Sequence, residues 1–168
     1  SLYFLTFCTL RRKPLLHIKG IPEFLIEEIT FYEKNIHKLV AYTIMPDHIH
    51  MIVEIECAES LSIFLRDFKR FTSKGIKSRM KEMGIDIDGH IWQPGTMDHC
   101  IRMSWENRDY HNHLCYIFYN SIKHLNIPPQ NFPYHNFTDV VAQGMLPSDF
   151  CMMNKNTGSK FEVYEKGG

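Results

Sequence analysis

The chain has 168 residues, 44% hydrophobic and 23% charged, which suits one compact domain with a sizeable core and excludes a disordered chain. Its 19 Lys and Arg balance 19 Asp and Glu, so bulk charge does not carry it to nucleic acid, and any such role rests on a local patch. No apolar run reaches the roughly 18 residues of a membrane-spanning helix, and Ser1-Leu2-Tyr3 enters an apolar segment without a basic stretch, so neither a span nor a secretory leader is expected.

Residues 2–9 are β-branched, aromatic and uninterrupted, and predict a strand covered on at least one face. Arg11, Arg12 and Lys13 with Pro14 end it. Gly20 and Pro22 open a helix that continues through Leu25, Ile29, Tyr32 and Ile36 at helical spacing. Residues 38–45 predict a second strand and His48 to Glu56 a third. The short Pro46-Asp47 link makes that pair antiparallel, because parallel strands need a crossover. Ser60 to Met83 predicts a second helix, stopped by Gly84. Residues 84–96 form a loop with Ile91-Trp92-Gln93 inside it. Thr96 to Met103 reads as the last strand, and Ser104 as the cap of a third helix through Leu125. Phe137 to Gln143 predicts a short helix in a remainder rich in Pro, Asn and Gly. The order gives an α+β fold with helices packed on an antiparallel, ferredoxin-like sheet. Residues 1–150 are expected to form one domain and residues 151–168 a mobile tail. The five cysteines (Cys8, Cys57, Cys100, Cys115, Cys151) contain no C-x-x-C pair, which predicts reduced thiols and a cytoplasmic protein.

Met45-Pro46-Asp47-His48-Ile49-His50-Met51 is the most informative stretch. On a strand His48 and His50 project to one face, while Ile49, Met51 and Val53 project to the other. Two imidazoles side by side suit a divalent metal with a third ligand from elsewhere, or are simply two histidines on a half-exposed strand. Ile52 breaks any longer His-x-His-x-His pattern.

The third helix carries Tyr116 and Asn120 four residues apart, hence on one face, with Lys123 continuing the stripe. Leu114, Ile117, Phe118 and Leu125 supply an apolar side. Tyr116 is either a core-edge aromatic or a nucleophile. A neutral phenol is a poor nucleophile, but it attacks a phosphodiester if a metal polarises the phosphoryl oxygen. His48 and His50 with the Asn120 amide oxygen leave coordination sites open, which suits Mg²⁺ or Mn²⁺ better than a closed zinc site.

Between Arg66 and Lys81 seven basic residues face the single acid Asp67, a local charge of about +6. Arg66, Arg70, Lys74, Lys77 and Lys81 fall at spacings of three or four. The segment is a solvated helix face or a phosphate-tracking surface.

Several ordered motifs carry a family resemblance. Met45-Pro46-Asp47-His48-Ile49-His50, Phe68-Lys69-Arg70-Phe71-Thr72-Ser73, Ile91-Trp92-Gln93 with Asp98-His99 and Ile101-Arg102, and Tyr116-Ile117-Phe118-Tyr119-Asn120-Ser121-Ile122-Lys123 are similar to motifs of the REP-associated tyrosine transposases. These form a branch of the single-tyrosine HUH transposases. The resemblance covers about residues 3–150. It implies that Tyr116 is the nucleophile and that His48, His50 and Asn120 hold the metal. The implied reaction is nicking and rejoining of single-stranded, hairpin-forming DNA through a 5′-phosphotyrosine link. Arg66, Lys69, Arg70, Lys74, Lys77 and Lys123 are the candidate DNA contacts. Relatives acting in insertion sequences imply a homodimer, the REP-associated branch a monomer. Ser121 replaces the family's usual Pro. The competing readings are an idle hairpin-binding module of the same fold, and a metal phosphoesterase that uses water.

Overall fold

The structure is a computed structural model and describes residues 1–35, 38–102 and 108–152. Alternation along the first strand sorts the whole molecule into two faces. In β1 (Leu2–Cys8) Leu5 and Phe7 enter one apolar cluster, and Phe4 enters the other. In β3 (His48–Glu54) Ile49, Met51 and Val53 join the first cluster, while Ile52 joins the second. β2 (Lys38–Ile44) has a register irregularity between Leu39 and Ala41, so Val40 and Ala41 both enter the second cluster. With β4 (Met97–Cys100) the sheet order is β2-β3-β1-β4, every neighbouring pair antiparallel. This is the ferredoxin-like arrangement expected, with the His-x-His on an interior strand.

The helices α1 (Ile21–Asn35) and α2 (Ala58–Glu82) supply Leu25, Ile29, Phe64, Phe68 and Ile76 to the first cluster. The helices α3 (Asp109–Leu125) and α4 (Phe137–Ala142) cover the opposite face through Leu114, Ile117, Phe118, Phe137 and Val140. His48 and His50 therefore lie under α3, and the basic helix α2 lies across the sheet from them.

Element ends differ from the sequence reading for local reasons. α2 starts at Ala58, because Cys57 takes the extended capping conformation (φ −145°, ψ 165°) and its Sγ lies 3.3 Å from Ser60 Oγ. Gly84 ends α2 in the left-handed region at φ +78°, as expected. β3 stops at Glu54, and the Ile55 amide instead donates to the Ser1 carbonyl. β4 pairs only from Thr6↔Met97 to Tyr3↔Cys100, so it is shorter than 96–103. The Ser104 cap, Ile36, Met103 and residues 153–168 of the tail lie outside the described residues.

Gly75, inside α2, is required by packing. A Cβ there would stand 2.1 Å from Phe24 Cζ, and the Arg79 guanidinium covers that ring at 3.9 Å from its centroid. Ala in a helix interior gains about 1 kcal/mol over Gly. A clash this deep outweighs the gain, so Gly75→Ala is expected to destabilise the fold by about 1–3 kcal/mol. Urea unfolding measures it, and an unchanged or raised midpoint contradicts the packing argument.

Candidate active site

Strand pairing builds the floor of the site. Thr6 on β1 stands opposite His50, and Cys8 opposite His48, so these four side chains share one face. His48 and His50 have ring centroids 4.7 Å apart and are 2% and 5% exposed. They are covered by α3, unlike histidines of a half-exposed strand. Thr6 Oγ1 lies 2.9 Å from His50 Nδ1. Burial, with the Coulombic influence of the neighbouring His48, His124, Arg12 and Lys123, pushes the His50 pKa well down, which keeps the ring neutral. A neutral imidazole is the form that ligates metals.

Asp47 orients the other histidine. His48 Nδ1 lies 2.7 Å from Asp47 Oδ1, and Arg12 Nε lies 2.9 Å from Asp47 Oδ2. Burial alone would raise the Asp47 carboxyl. The His48 hydrogen bond and the nearby charges hold it below the ordinary carboxylate range, so it stays ionised and accepts a hydrogen bond from His48 Nδ1–H. Arg12 sits in the left-handed region at φ 56°, as does Arg11, a costly conformation for residues with a Cβ.

Asn120 is fixed from the other side. Its Nδ2 donates to the Tyr116 carbonyl at 2.7 Å, which turns Oδ1 to within 3.3 Å of His48 Nε2. With Nδ1 turned to Asp47, Nε2 is the His48 nitrogen that faces Asn120 Oδ1. An imidazole nitrogen and an amide oxygen that converge in this way are donor atoms a divalent cation takes. Their spacing is also close to the roughly 3 Å expected between adjacent ligands of one ion bonded at about 2.1 Å. The donor set thus fits a divalent metal.

Tyr116 completes the group. Its ring centroid is 5.2 Å from that of His50 and 6.0 Å from that of Phe4, and Lys123 Nζ stands 5.9 Å from its centroid. It is 1% exposed, so any substrate reaches it through the adjoining cavity of about 220 Å³, lined by Thr6, Arg12, His48, His50, Met97 and Tyr116 among others. Tyr119 is half-buried and packs against the second cluster.

The basic residues of α2 are not one free stripe. Lys69 Nζ donates to the carbonyls of Gln93 (3.0 Å) and Gly95, and Lys77 Nζ to that of Gly89, so both tie α2 to the loop 84–96. Arg66 pairs with Asp67 at 2.8 Å, and Arg70 stands 5.5 Å from the centroid of the Phe71 ring. Lys74 and Arg70 are exposed. Lys69, Arg70, Ser73 and Trp92 line a groove of about 560 Å³ along this edge.

The sequence reading missed Thr6, Arg12 and His124 (ring centroid 5.1 Å from that of His48) and gave Asp47 no role. It also missed a second cluster, in which His99 Nε2 lies 3.2 Å from Asp109 Oδ2 and His113 Nδ1 3.0 Å from Asp109 Oδ1. All five cysteines are free thiols. Among the described residues no helix is long and apolar enough to cross a membrane.

A ferredoxin-like sheet bearing a buried His-x-His under a tyrosine helix is the setting in which the comparisons with known proteins fall. The chain belongs to the IS200-like transposase family, whose profile matches residues 2–100. It is 30% identical over 117 residues to a Haemophilus influenzae protein named as a REP-associated tyrosine transposase; the alignment spans 66% of this chain and 65% of that one. A solved structure of a REP-associated tyrosine transposase bound to a REP hairpin superposes with a TM-score of 0.67 at 25% identity, covering 88% of this chain and 82% of that one. A crystal structure from Deinococcus radiodurans, described as that of a transposase, gives 0.52 at 17% identity over 66% of this chain and 86% of that one, and shares the fold.

Proposed function

We propose that the chain is a metal-dependent single-stranded DNA nicking and strand-transfer enzyme that acts at hairpin-forming DNA through a 5′-phosphotyrosine on Tyr116. The observation that carries this reading is the convergence of His48 Nε2 and Asn120 Oδ1, 3.3 Å apart, in a group that Tyr116 completes. His48, His50 and Asn120 would hold Mg²⁺ or Mn²⁺. When bound, the ion supplies Lewis acidity toward the phosphoryl oxygen and screens the charge that develops there. Asp47 and Thr6 orient the imidazoles from behind.

The chain's own step is a transesterification. The Tyr116 oxygen forms a bond to phosphorus as the bond from phosphorus to the 3′ oxygen breaks. The phenolic proton leaves to solvent in the cavity, and the departing 3′ oxygen gains one to become a hydroxyl. One ester replaces another, so the reverse attack by a 3′-hydroxyl rejoins DNA without a further energy source. Residues 1–150 serve as one catalytic unit in the cytoplasm, as a monomer or a homodimer. The hairpin substrate is taken from the similarity to the hairpin-bound structure.

End-labelled single-stranded hairpin DNA, incubated with the protein and Mn²⁺ or Mg²⁺, tests the reading on a denaturing gel. A covalent protein–DNA band that chelator abolishes is the expected result. Cleavage without a covalent band makes water the nucleophile, and binding without cleavage makes the chain an idle hairpin-binding module.

Arg66, Lys69, Arg70, Lys74, Lys77 and Lys123 remain the proposed DNA-facing cations, with different roles. Lys123 stands at the tyrosine, Lys74 and Arg70 face solvent, and Lys69 and Lys77 brace the loop. Lys74→Ala is therefore expected to lower the salt slope of hairpin binding by about 0.7–0.9, the share of one phosphate contact. An unchanged slope removes this part of α2 from the interface.

A further inference from the structure

The Asp98-His99 and Ile101-Arg102 segment has no part in the chemistry above, yet His99 meets two residues of the tyrosine helix. We propose that His99, Asp109 and His113 form a second divalent-cation site, of the zinc class, that clamps the edge strand β4 to the first turns of α3. The site is separate from His48, His50 and Asn120. Phe4 stands between them, its ring centroid 5.1 Å from that of His50 and 4.7 Å from that of His113.

The donor atoms are already gathered. One nitrogen of each histidine and a carboxylate oxygen of Asp109 all lie within 4.8 Å of one another, and the two contacts to Asp109 are 3.2 and 3.0 Å. Ligands of one tetrahedral zinc ion stand roughly 3.4 Å apart when each bond is about 2.0–2.1 Å, so small side-chain rotations close the set. Two imidazoles and one carboxylate with a position left open are a donor set that zinc takes, and nitrogen donors favour it over Mg²⁺. The carboxylate is held from behind by the Arg102 amide, which donates to Oδ2 at 2.9 Å. Burial lowers the His113 pKa, so that ring is neutral, as a ligand requires. His99 is exposed, which gives the ion a path in.

In the structure His113 Nδ1 also donates to the Asp109 carbonyl at 2.8 Å. Ion uptake gives up that bond and shifts the ring proton to the other nitrogen. The consequence for the protein is positional: His113 precedes Tyr116 by three residues on α3, so an ion here anchors the tyrosine's own helix to the sheet edge.

The test uses the full chain stripped of metal by chelator and titrated with Zn²⁺, read as zinc bound per chain and as melting temperature. The His48→Ala/His50→Ala double variant, which removes the first site, is expected to bind one Zn²⁺ and to melt higher when loaded. Adding His99→Ala or Asp109→Asn is expected to weaken that binding more than about 100-fold and to remove the rise in melting temperature, because losing a ligand costs more than losing a residue that orients one. His113 is left intact because its buried ring packs on Phe4. The same difference is read on the otherwise unaltered chain, where His99→Ala lowers the zinc count by one, with circular dichroism checking the fold. Zinc binding that is absent from the double variant, or indifferent to His99→Ala and Asp109→Asn, overturns the proposal. Loss of DNA cleavage alone bears on neither outcome, so the two metal assignments fail separately.

Discussion

Tyr116→Phe is expected to abolish the covalent DNA adduct, a loss on the order of 10⁴-fold or more, because in the proposed reaction the attacking oxygen is the one this substitution removes. The substitution removes one oxygen and keeps the ring that packs near His50 and Phe4, so the fold and hairpin binding are expected to survive it. The loss in stability should stay near the 1 kcal/mol of one net hydrogen bond. Tyr119→Phe is the matched control. Tyr119 lies three residues on, about 60° around the helix from Tyr116, and is 100° removed from its neighbour Asn120. It packs with the second apolar cluster, so its variant is expected to form the adduct at close to the normal rate. Denaturing gels with labelled hairpin DNA measure both. An adduct retained by Tyr116→Phe and lost in Tyr119→Phe would exchange their roles. Cleavage retained by Tyr116→Phe without any adduct would make water the nucleophile.

Much of this site is legible from sequence because its parts are local repeats. His48 and His50 share a face by the two-residue period of a strand, and Tyr116 and Asn120 by the four-residue spacing of a helix. What spacing does not reveal is which elements meet. Thr6 is invisible as a partner of His50 until β1 is paired with β3 in the observed register. Arg12 reaches Asp47 only because the chain turns through two left-handed residues after β1. The basic helix shows the opposite limit. Its charges are evident in the sequence, but Lys69 and Lys77 are drawn to carbonyls of a loop more than ten residues away, and no helical periodicity encodes that contact. The placement of α2 across the sheet from His48 follows from Leu5, Phe7, Phe64 and Phe68 entering one cluster while Phe4 and Tyr116 enter the other.

Asn120 carries two duties, and separating them decides whether it is a ligand. Its amide hydrogens satisfy the Tyr116 carbonyl, and its oxygen faces His48. Asn120→Asp keeps an oxygen toward His48 but loses the donor, and it places a carboxylate oxygen beside the Tyr116 carbonyl at a fully buried position. Charge burial outweighs what His48 returns, so the variant is expected to lose about 2–4 kcal/mol of stability in chelator. A carboxylate is also a stronger ligand than an amide for a hard cation. Mn²⁺ should therefore restore much of the loss and raise the melting temperature more than it does in the unaltered protein. Asn120→Ala has neither oxygen nor side-chain donor, so it should be destabilised by the lost hydrogen bond and the cavity, with little rescue by Mn²⁺. Melting curves of the three proteins with Mn²⁺ and with chelator give the comparison. If Mn²⁺ stabilises Asn120→Asp and Asn120→Ala equally, Asn120 only positions the tyrosine helix, and the third ligand lies elsewhere.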